Sequence, residues 1–232
     1  MARLEDYSAA FYERHREGAR SSARIIVPLV AELVRPASAV DVGCGTGTWL
    51  AVFRDHGVSE ITGVDGEHVE LAALEIPLNA FVAHDLTRPL RLGRRFDLAA
   101  CLEVAEHLAA DYAEQLIASL VELSDVVLFS AAIPGQGGAH HVNEQWPGYW
   151  AARFGKHGYV PVDCLRRQLW ANPDVDYWYA QNALIYVRRT RLEDYPALAR
   201  EHELMGGSAH ALVHPRKYQE VIDWAMSLHE AG

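Results

Sequence analysis

A chain of 232 residues, half of them hydrophobic, is long enough to bury one sizeable α/β core with terminal helices to spare. Its formal charge of −10 speaks against nucleic acid or another polyanionic partner, because the short runs Arg94-Arg95, Arg166-Arg167 and Arg188-Arg189 build no concentrated basic surface. Three widely spaced cysteines, at 44, 101 and 164, argue against a disulfide framework or a cysteine-based metal site. No stretch approaches a membrane span, so a cytoplasmic protein with a small-molecule partner is expected.

Short apolar runs predict strands near 38–43, 60–65, 80–84, 96–102, 125–131, 160–168 and 181–188. Helical periodicity places helices at about 19–35, 46–56, 67–75, 111–123 and 144–157, with two more at about 191–205 and 215–230. Such alternation signals a mostly parallel sheet covered on both faces. In the fourth helix Tyr112, Leu116, Leu120 and Leu123 recur at helical spacing and read as core. One domain is expected, divided into a helical N-terminal part (1–37), a ligand-binding core (38–190) and a helical C-terminal extension (191–232). Those last helices would either pair two chains as a homodimer or cover the pocket.

The first strand ends in Val-Asp-Val-Gly-Cys-Gly-Thr-Gly at 40–47. Gly43, Gly45 and Gly47 strip the turn of Cβ atoms, so a ligand can press against bare backbone, and the following helix aims unpaired N–H groups at it. Asp41, two positions before the first glycine, occupies a site where dinucleotide-binding strands carry an apolar residue, and a carboxylate there suits a cationic ligand. The second strand ends in Asp65, about one βα unit on, where doubly wound folds hold the two ribose hydroxyls. Glu103 follows an apolar run at the carboxyl end of the fourth strand, the edge where such sheets bind ligands.

These segments resemble the class I S-adenosylmethionine-dependent methyltransferases over roughly residues 38–190. Positions 40–47 resemble that family's first motif, and Ile61-Thr-Gly-Val-Asp65-Gly its second strand. Phe81-Val-Ala-His-Asp85-Leu86 resembles its third, and Phe96 to Leu108 its fourth motif. The resemblance implies a Rossmann-like seven-stranded mixed sheet with an antiparallel seventh strand and helices on both faces. It implies S-adenosyl-L-methionine as cofactor, with Asp65 on the ribose, Asp85 and the next backbone N–H, that of Leu86, at the adenine edge, and Glu103 by the methionine portion. In many relatives an N-terminal aromatic helix closes over the ligands, which Tyr7 or Tyr12 would do here. Asp85 read alone is equally a helix cap or turn former, and Glu103 a solvated carboxylate.

A neutral hydroxyl attacking a sulfonium methyl usually needs a base. The segment 134–150, rich in Gly, His, Trp and Tyr, is the best place for one. His141 is the preferred general base, followed by His140 and His107. The plainer alternative makes Asn143 a helix cap and Glu144 a first-turn acid, with Trp146 and Trp150 packed inward. The reading that results is a small-molecule O-methyltransferase of ubiquinone-type resemblance, engaged in specialised-metabolite tailoring such as antibiotic biosynthesis. N-methylation of a small amine is the alternative. Glu103-Val-Ala-Glu106-His107 also resembles the metal-binding run of the small-RNA 2′-O-methyltransferases, which His140 or His141 would complete, but the ubiquinone-type enzymes carry similar strings. No metal ligand set is therefore expected. A nicotinamide oxidoreductase should show a different glycine spacing and a hydride-transfer constellation, and a non-catalytic S-adenosylmethionine sensor would lack the furnished loop.

Overall fold

The computed structural model describes residues 9–206 and 208–230, with side chains described from 17 to 206 and from 208 to 228. Seven strands, Ser38–Val42 (β1), Glu60–Asp65 (β2), Phe81–Ala83 (β3), Leu98–Leu102 (β4), Val126–Ser130 (β5), Tyr159–Val162 (β6) and Leu184–Arg188 (β7), form one sheet in the order β3-β2-β1-β4-β5-β7-β6. The first five run parallel, whereas β7 lies antiparallel between β5 and β6. Every predicted strand is present, including the antiparallel seventh. Among the described residues eight α-helices accompany them: α1 (Ala9–Val34), α2 (Thr48–Asp55), α3 (Ala113–Leu123), α4 (Pro147–Lys156), α5 (Arg166–Leu169), α6 (Tyr177–Asn182), α7 (Pro196–Leu204) and α8 (Pro215–Glu230).

Alternation along the strands assigns side chains to the two faces. Ala39, Leu98, Ala100, Leu128 and Ile185 meet Ile26, Val27 and Val30 of α1 and Leu50 and Phe53 of α2. On the other face Val40, Val42, Cys101, Val127 and Phe129 meet Leu116, Ile117 and Leu120 of α3 and Trp150 and Phe154 of α4. Phe154 stacks on Tyr186 with ring centroids 3.9 Å apart. Burying each such side chain is worth about 1.5–3 kcal/mol, so these two layers carry the fold. In the α3 stripe Leu116, Leu120 and Leu123 are buried, but Tyr112 is exposed just before the helix.

Several boundaries differ from expectation, each for a local reason. The helix expected at 67–75 is a single 3-10 turn, Leu71–Ala73. The Glu75 N–H donates to Thr46 O at 2.8 Å and its carboxylate takes Thr48 Oγ1 and Arg20, which draws the segment across the glycine turn instead of letting it coil. Helix α4 starts at Pro147, a residue suited to the first helical position, because Gln145 N–H is already spent on Ala132 O. Asn143 caps no helix and gives its N–H to Glu106 O. Strand β6 stops at Val162, and the apolar run beyond it continues as α5, tied by the buried Arg166–Asp163 pair. The expected hairpin before β7 contains α6, and Gln181 and Asn182 end that helix rather than begin the strand. The helix expected at 191–205 is split by Pro196 into a 3-10 stretch, Arg189–Asp194, and α7. Helix α1 begins well before residue 19. No helix among the described residues is long and apolar enough to cross a membrane.

Candidate active site

Strand order reverses between β1 and β4, so the connections leaving their carboxyl ends diverge and open a crevice there, the usual ligand position in doubly wound sheets. A cavity of about 780 Å³ occupies it, lined on one side by Gly43, Gly45 and Thr46 and on the other by Glu106, His107 and His141, with Trp49, Tyr177 and Trp178 between.

The glycine turn is specified by space as well as by backbone angle. Gly43 has φ of 85°, and a Cβ there would lie 2.3 Å from Val104 Cγ2; at Gly47, with φ of 84°, it would lie 2.9 Å from Ile76. Gly43 N–H donates to Val64 O at 2.7 Å, which keeps the turn against β2. Asp65 completes the cradle. Its carboxylate accepts Gly45 N–H and Gly66 N–H, each at 2.7 Å, with one oxygen for each. Each oxygen retains a lone pair for a further donor such as a sugar hydroxyl. Asp65 and Gly47 themselves lie outside the cavity lining, and His68 Nε2 approaches Asp65 Oδ1 at 3.5 Å. The bare-backbone cradle and the remaining acceptor capacity of Asp65 fit the adenosine end of the cofactor that the sequence implies.

Asp41 sits beneath the turn, 2% exposed and outside the residues that line the cavity. Burial, helped by nearby Asp65, pushes its carboxyl up to about 8, so it is protonated at neutral pH. Its negative charge, on which the cation argument from sequence relies, is therefore latent. Asp85 is exposed and also lies outside the lining. Its carboxylate takes the Thr87 hydroxyl at 2.7 Å and the Thr87 N–H at 2.9 Å, bonds that hold it below the usual carboxylate range. The turn-forming alternative thus describes the Asp85 side chain. Leu86 is half-buried against the α3 side of the sheet. Tyr7 lies outside the described residues, as do the side chains of Phe11 and Tyr12.

Glu103 lines the cavity with its backbone at φ of 53°, a conformation that costs a non-glycine residue of order 1 kcal/mol. The strain is held by Glu103 N–H to Ser130 O at 3.0 Å and by side-chain bonds from Gln136 Nε2 at 2.9 Å and Asn182 Nδ2 at 3.1 Å. It is therefore a fixed carboxylate, not a solvated one. Gln181 Nε2 donates in turn to Gln136 and Asn182, which explains a polar pair at the end of an otherwise apolar segment.

The histidines separate. His141 faces the cavity, its side chain 12% exposed, and its Nδ1 lies 3.0 Å from Glu144 Oε1. Glu144 also accepts Gly135 and Gly137 N–H, each at 2.7 Å. Burial raises the Glu144 carboxyl, but the His141 ring and those two N–H groups outweigh it and hold it below its ordinary value. A carboxylate on Nδ1 leaves Nε2 of His141 as the free ring nitrogen. His107 also lines the cavity, its ring edge-on to His141 with centroids 4.9 Å apart. Burial, and then His141, lower its pKa, which favours the neutral ring. His140 is exposed, with φ of 59°, and lies outside the lining. Trp150 is buried as the plainer alternative has it, but Trp146 is 42% exposed.

Sequence reasoning weighed Glu106 only as part of a metal-binding run and Glu144 only as a first-turn acid, and it passed over the aromatic wall. Glu106 is fully buried, and burial followed by the neighbouring Glu103 pushes its carboxyl up to about 9. Tyr177-Trp178-Tyr179 carries a signal in its composition, since three consecutive aromatics cannot all face one core. Tyr177 and Tyr179 are buried, Tyr179 packs edge-on to Trp49 at 5.1 Å, and all three line the cavity.

Solved structures share the fold. DesVI of Streptomyces venezuelae is 16% identical with a TM-score of 0.57, covering 81% of this chain and 99% of its own. An amino pentose methyltransferase of calicheamicin biosynthesis from Micromonospora echinaspora is 18% identical with a TM-score of 0.57, covering 76% and 96%. Magnesium protoporphyrin IX methyltransferase from Synechocystis, with bound SAH, is 18% identical with a TM-score of 0.56, covering 79% and 97%. A curated relative, the malonyl-[acyl-carrier protein] O-methyltransferase of Pseudescherichia vulneris, is 31% identical over 128 residues, 54% of this chain and 48% of its own. The chain thus spans about half the length of that relative. Residues 12–172, which carry the glycine turn, β1 to β6 and the histidine loop, match the methyltransferase domain family, and the chain belongs to it.

Proposed function

We propose that this protein transfers a methyl group from S-adenosylmethionine to a hydroxyl of a small-molecule acceptor held at the His107–His141 end of the cavity. The cofactor supplies a methyl already activated on a sulfonium centre. The protein's residues then have three tasks: to hold the two reactants in line, to keep water out and to receive the acceptor's proton. Holding two reactants in attack geometry supplies several kcal/mol of the barrier reduction. Gly43, Gly45 and Gly47 give the donor its backbone seat, Asp65 takes the ribose diol and Glu103 meets the methionine amino group. The adenine edge meets the Asp85–Leu86 segment through its main chain, because the Asp85 carboxylate is already engaged by Thr87. Ala19 of α1 lines the cavity, so α1 helps to cover it.

One observation carries the oxygen assignment: His141 faces the cavity with Nδ1 bonded to Glu144, so that Nε2 can accept a proton. Glu144 orients the ring and stabilises the imidazolium that forms. His107, favoured in the neutral form, is the second choice, and the exposed His140 is the third.

No lysine or arginine lines the cavity among the described residues, whereas the carboxylates of Glu70 and Glu103 do, beside the Glu106 carboxyl that burial keeps protonated. That lining supports a neutral or cationic acceptor and disfavours a carboxylate such as the malonyl group in the curated relative's name. It also gives the nitrogen alternative its footing, since a carboxylate wall suits an amine and one structural neighbour is named an amino pentose methyltransferase. That neighbour's name, which places it in calicheamicin biosynthesis, supports a place in specialised-metabolite tailoring. An assay for S-adenosylhomocysteine with paired hydroxyl and amine acceptors tests the reading. His141→Ala should lower turnover with the hydroxyl acceptor by at least about 10²-fold and leave donor affinity unchanged. Equal turnover in that variant would remove the base, and absence of turnover with any acceptor would leave a donor-binding protein.

A further inference from the structure

Beneath the cavity, the side chain of Glu106 poses a problem that the methyl-transfer reading does not use. It is fully buried, and neither carboxylate oxygen has a hydrogen-bond partner of good geometry, although the Glu103 carboxyl and the backbone of Glu106 and Ala132 lie near it. Buried carboxyl groups are costly unless paired, hydrogen-bonded or bound to a metal. Around Glu106, the ring nitrogens of His107 and His141 converge, and one ligand atom from each of the three residues lies within 4.8 Å of the others. Metal–nitrogen and metal–oxygen bonds of about 2.0–2.2 Å place neighbouring ligand atoms about 3–4 Å apart, so side-chain adjustment of about 1 Å closes the set on an ion.

We propose that Glu106, His107 and His141 form a binding site for one divalent transition-metal cation. Three further observations bear on this. Glu144 holds Nδ1 of His141, the carboxylate–histidine arrangement that fixes a ring tautomer and directs the other nitrogen to a metal. The Glu106 carbonyl accepts Val142 N–H at 2.9 Å and Asn143 N–H at 3.0 Å, which stitches the Glu106-His107 turn to the His141 loop and prepares the distance between the ligands. The cavity lining adds Glu103 and Glu70 and, among the described residues, no competing lysine or arginine. Two imidazoles and one carboxylate favour zinc, manganese, iron or cobalt over magnesium and calcium, which prefer all-oxygen sites. Three protein ligands leave coordination positions open toward the cavity. A cation there acidifies a coordinated hydroxyl. The Glu-x-x-Glu-His string alone does not single out this role; the orphaned carboxylate and the arrival of His141 from a different loop do. A cation on the free ring nitrogen of His141 takes that nitrogen out of the proton-acceptor role, so in the metal-loaded chain the cation's acidification of a bound hydroxyl stands in for the base. The site itself stands whether or not the acceptor is a hydroxyl.

The test uses the full chain, stripped with a chelator and dialysed, and titrated with zinc or manganese chloride alone by calorimetry, with cobalt chloride for visible absorption. One cation per chain is expected, with a cobalt spectrum of nitrogen and oxygen ligation. Glu106→Gln, which keeps the shape of the side chain, and His107→Ala should each weaken the affinity by at least about tenfold. His157→Ala, on the surface beside Glu114, should leave it unchanged. A wild-type chain that takes up no cation, or one that binds equally well in Glu106→Gln and His107→Ala, overturns the proposal. Neither result touches donor uptake, which is measured separately with S-adenosylhomocysteine.

Discussion

The turn at 43–47 and the loop at 134–146 close one cavity from two sides, the first with backbone and the second with side chains. The turn places Gly43 against Val104 and Gly47 against Ile76, and Asp65 fastens its N–H groups. It has almost no freedom to vary. The loop is held by one carboxylate, Glu144, that gathers Gly135 N–H, Gly137 N–H and the His141 ring. It presents groups that titrate or bind ions, and its shape depends on a few bonds. The contrast teaches how the proposed function would divide its work: the invariable partner would meet rigid main chain, and the chemistry would sit on replaceable side chains.

Breaking the rigid half should have the largest effect. Gly43→Val places a branched side chain where even a Cβ collides, at an unfavourable φ, and should abolish uptake of S-adenosylhomocysteine in calorimetry. Retained binding would mean that the turn is not the donor seat. Asp65→Ala should weaken the same affinity by about 1–3 kcal/mol, because the turn loses its fastening and the ribose an acceptor. On the loop side, Glu144→Gln should lower turnover roughly tenfold, short of the about 10²-fold that displacing a reacting group by 1 Å can cost, with donor affinity unchanged. A variant that loses donor affinity instead would erase the distinction between the halves.

Two smaller effects sharpen it. Asp41 titrates at about 8 in the folded protein against 3.8 ordinarily. A raised folded value means stability that is complete below the ordinary pKa and is lost as pH rises through about 8. The melting temperature should therefore fall between about pH 5 and pH 8 and level off above it, and Asp41→Asn should remove up to about 1.4 kcal/mol per pH unit of that slope. An unchanged slope would show that Asp41 is already ionised. Last, Asp85→Ala should change donor affinity by no more than about twofold, as for an ordinary surface position. A large loss would return its carboxylate to the adenine edge.

Much of this was legible beforehand. Strand alternation, the glycine spacing and the acid after β2 are local or nearly periodic signals, because the pleat, the turn and one βα unit each impose a fixed step along the chain. The amino-acid sequence thereby determined the parallel sheet, the glycine turn and the loop in which to look for a base. It did not determine where Glu75 would be held, so a helix was expected at 67–75. Nor could it separate His140 from His141, because the positive φ of His140 turns the chain there and sends adjacent side chains to different environments.

The tertiary structure decided the rest: that Asp41 is neutral beneath the turn, that Asp85 serves its own loop, and that Glu144 supports His141. It also brought Glu106 and His107, after β4, to His141, after β5. The physical reason is that charge state and ligand convergence depend on burial and on neighbours remote in the chain, which no local periodicity encodes.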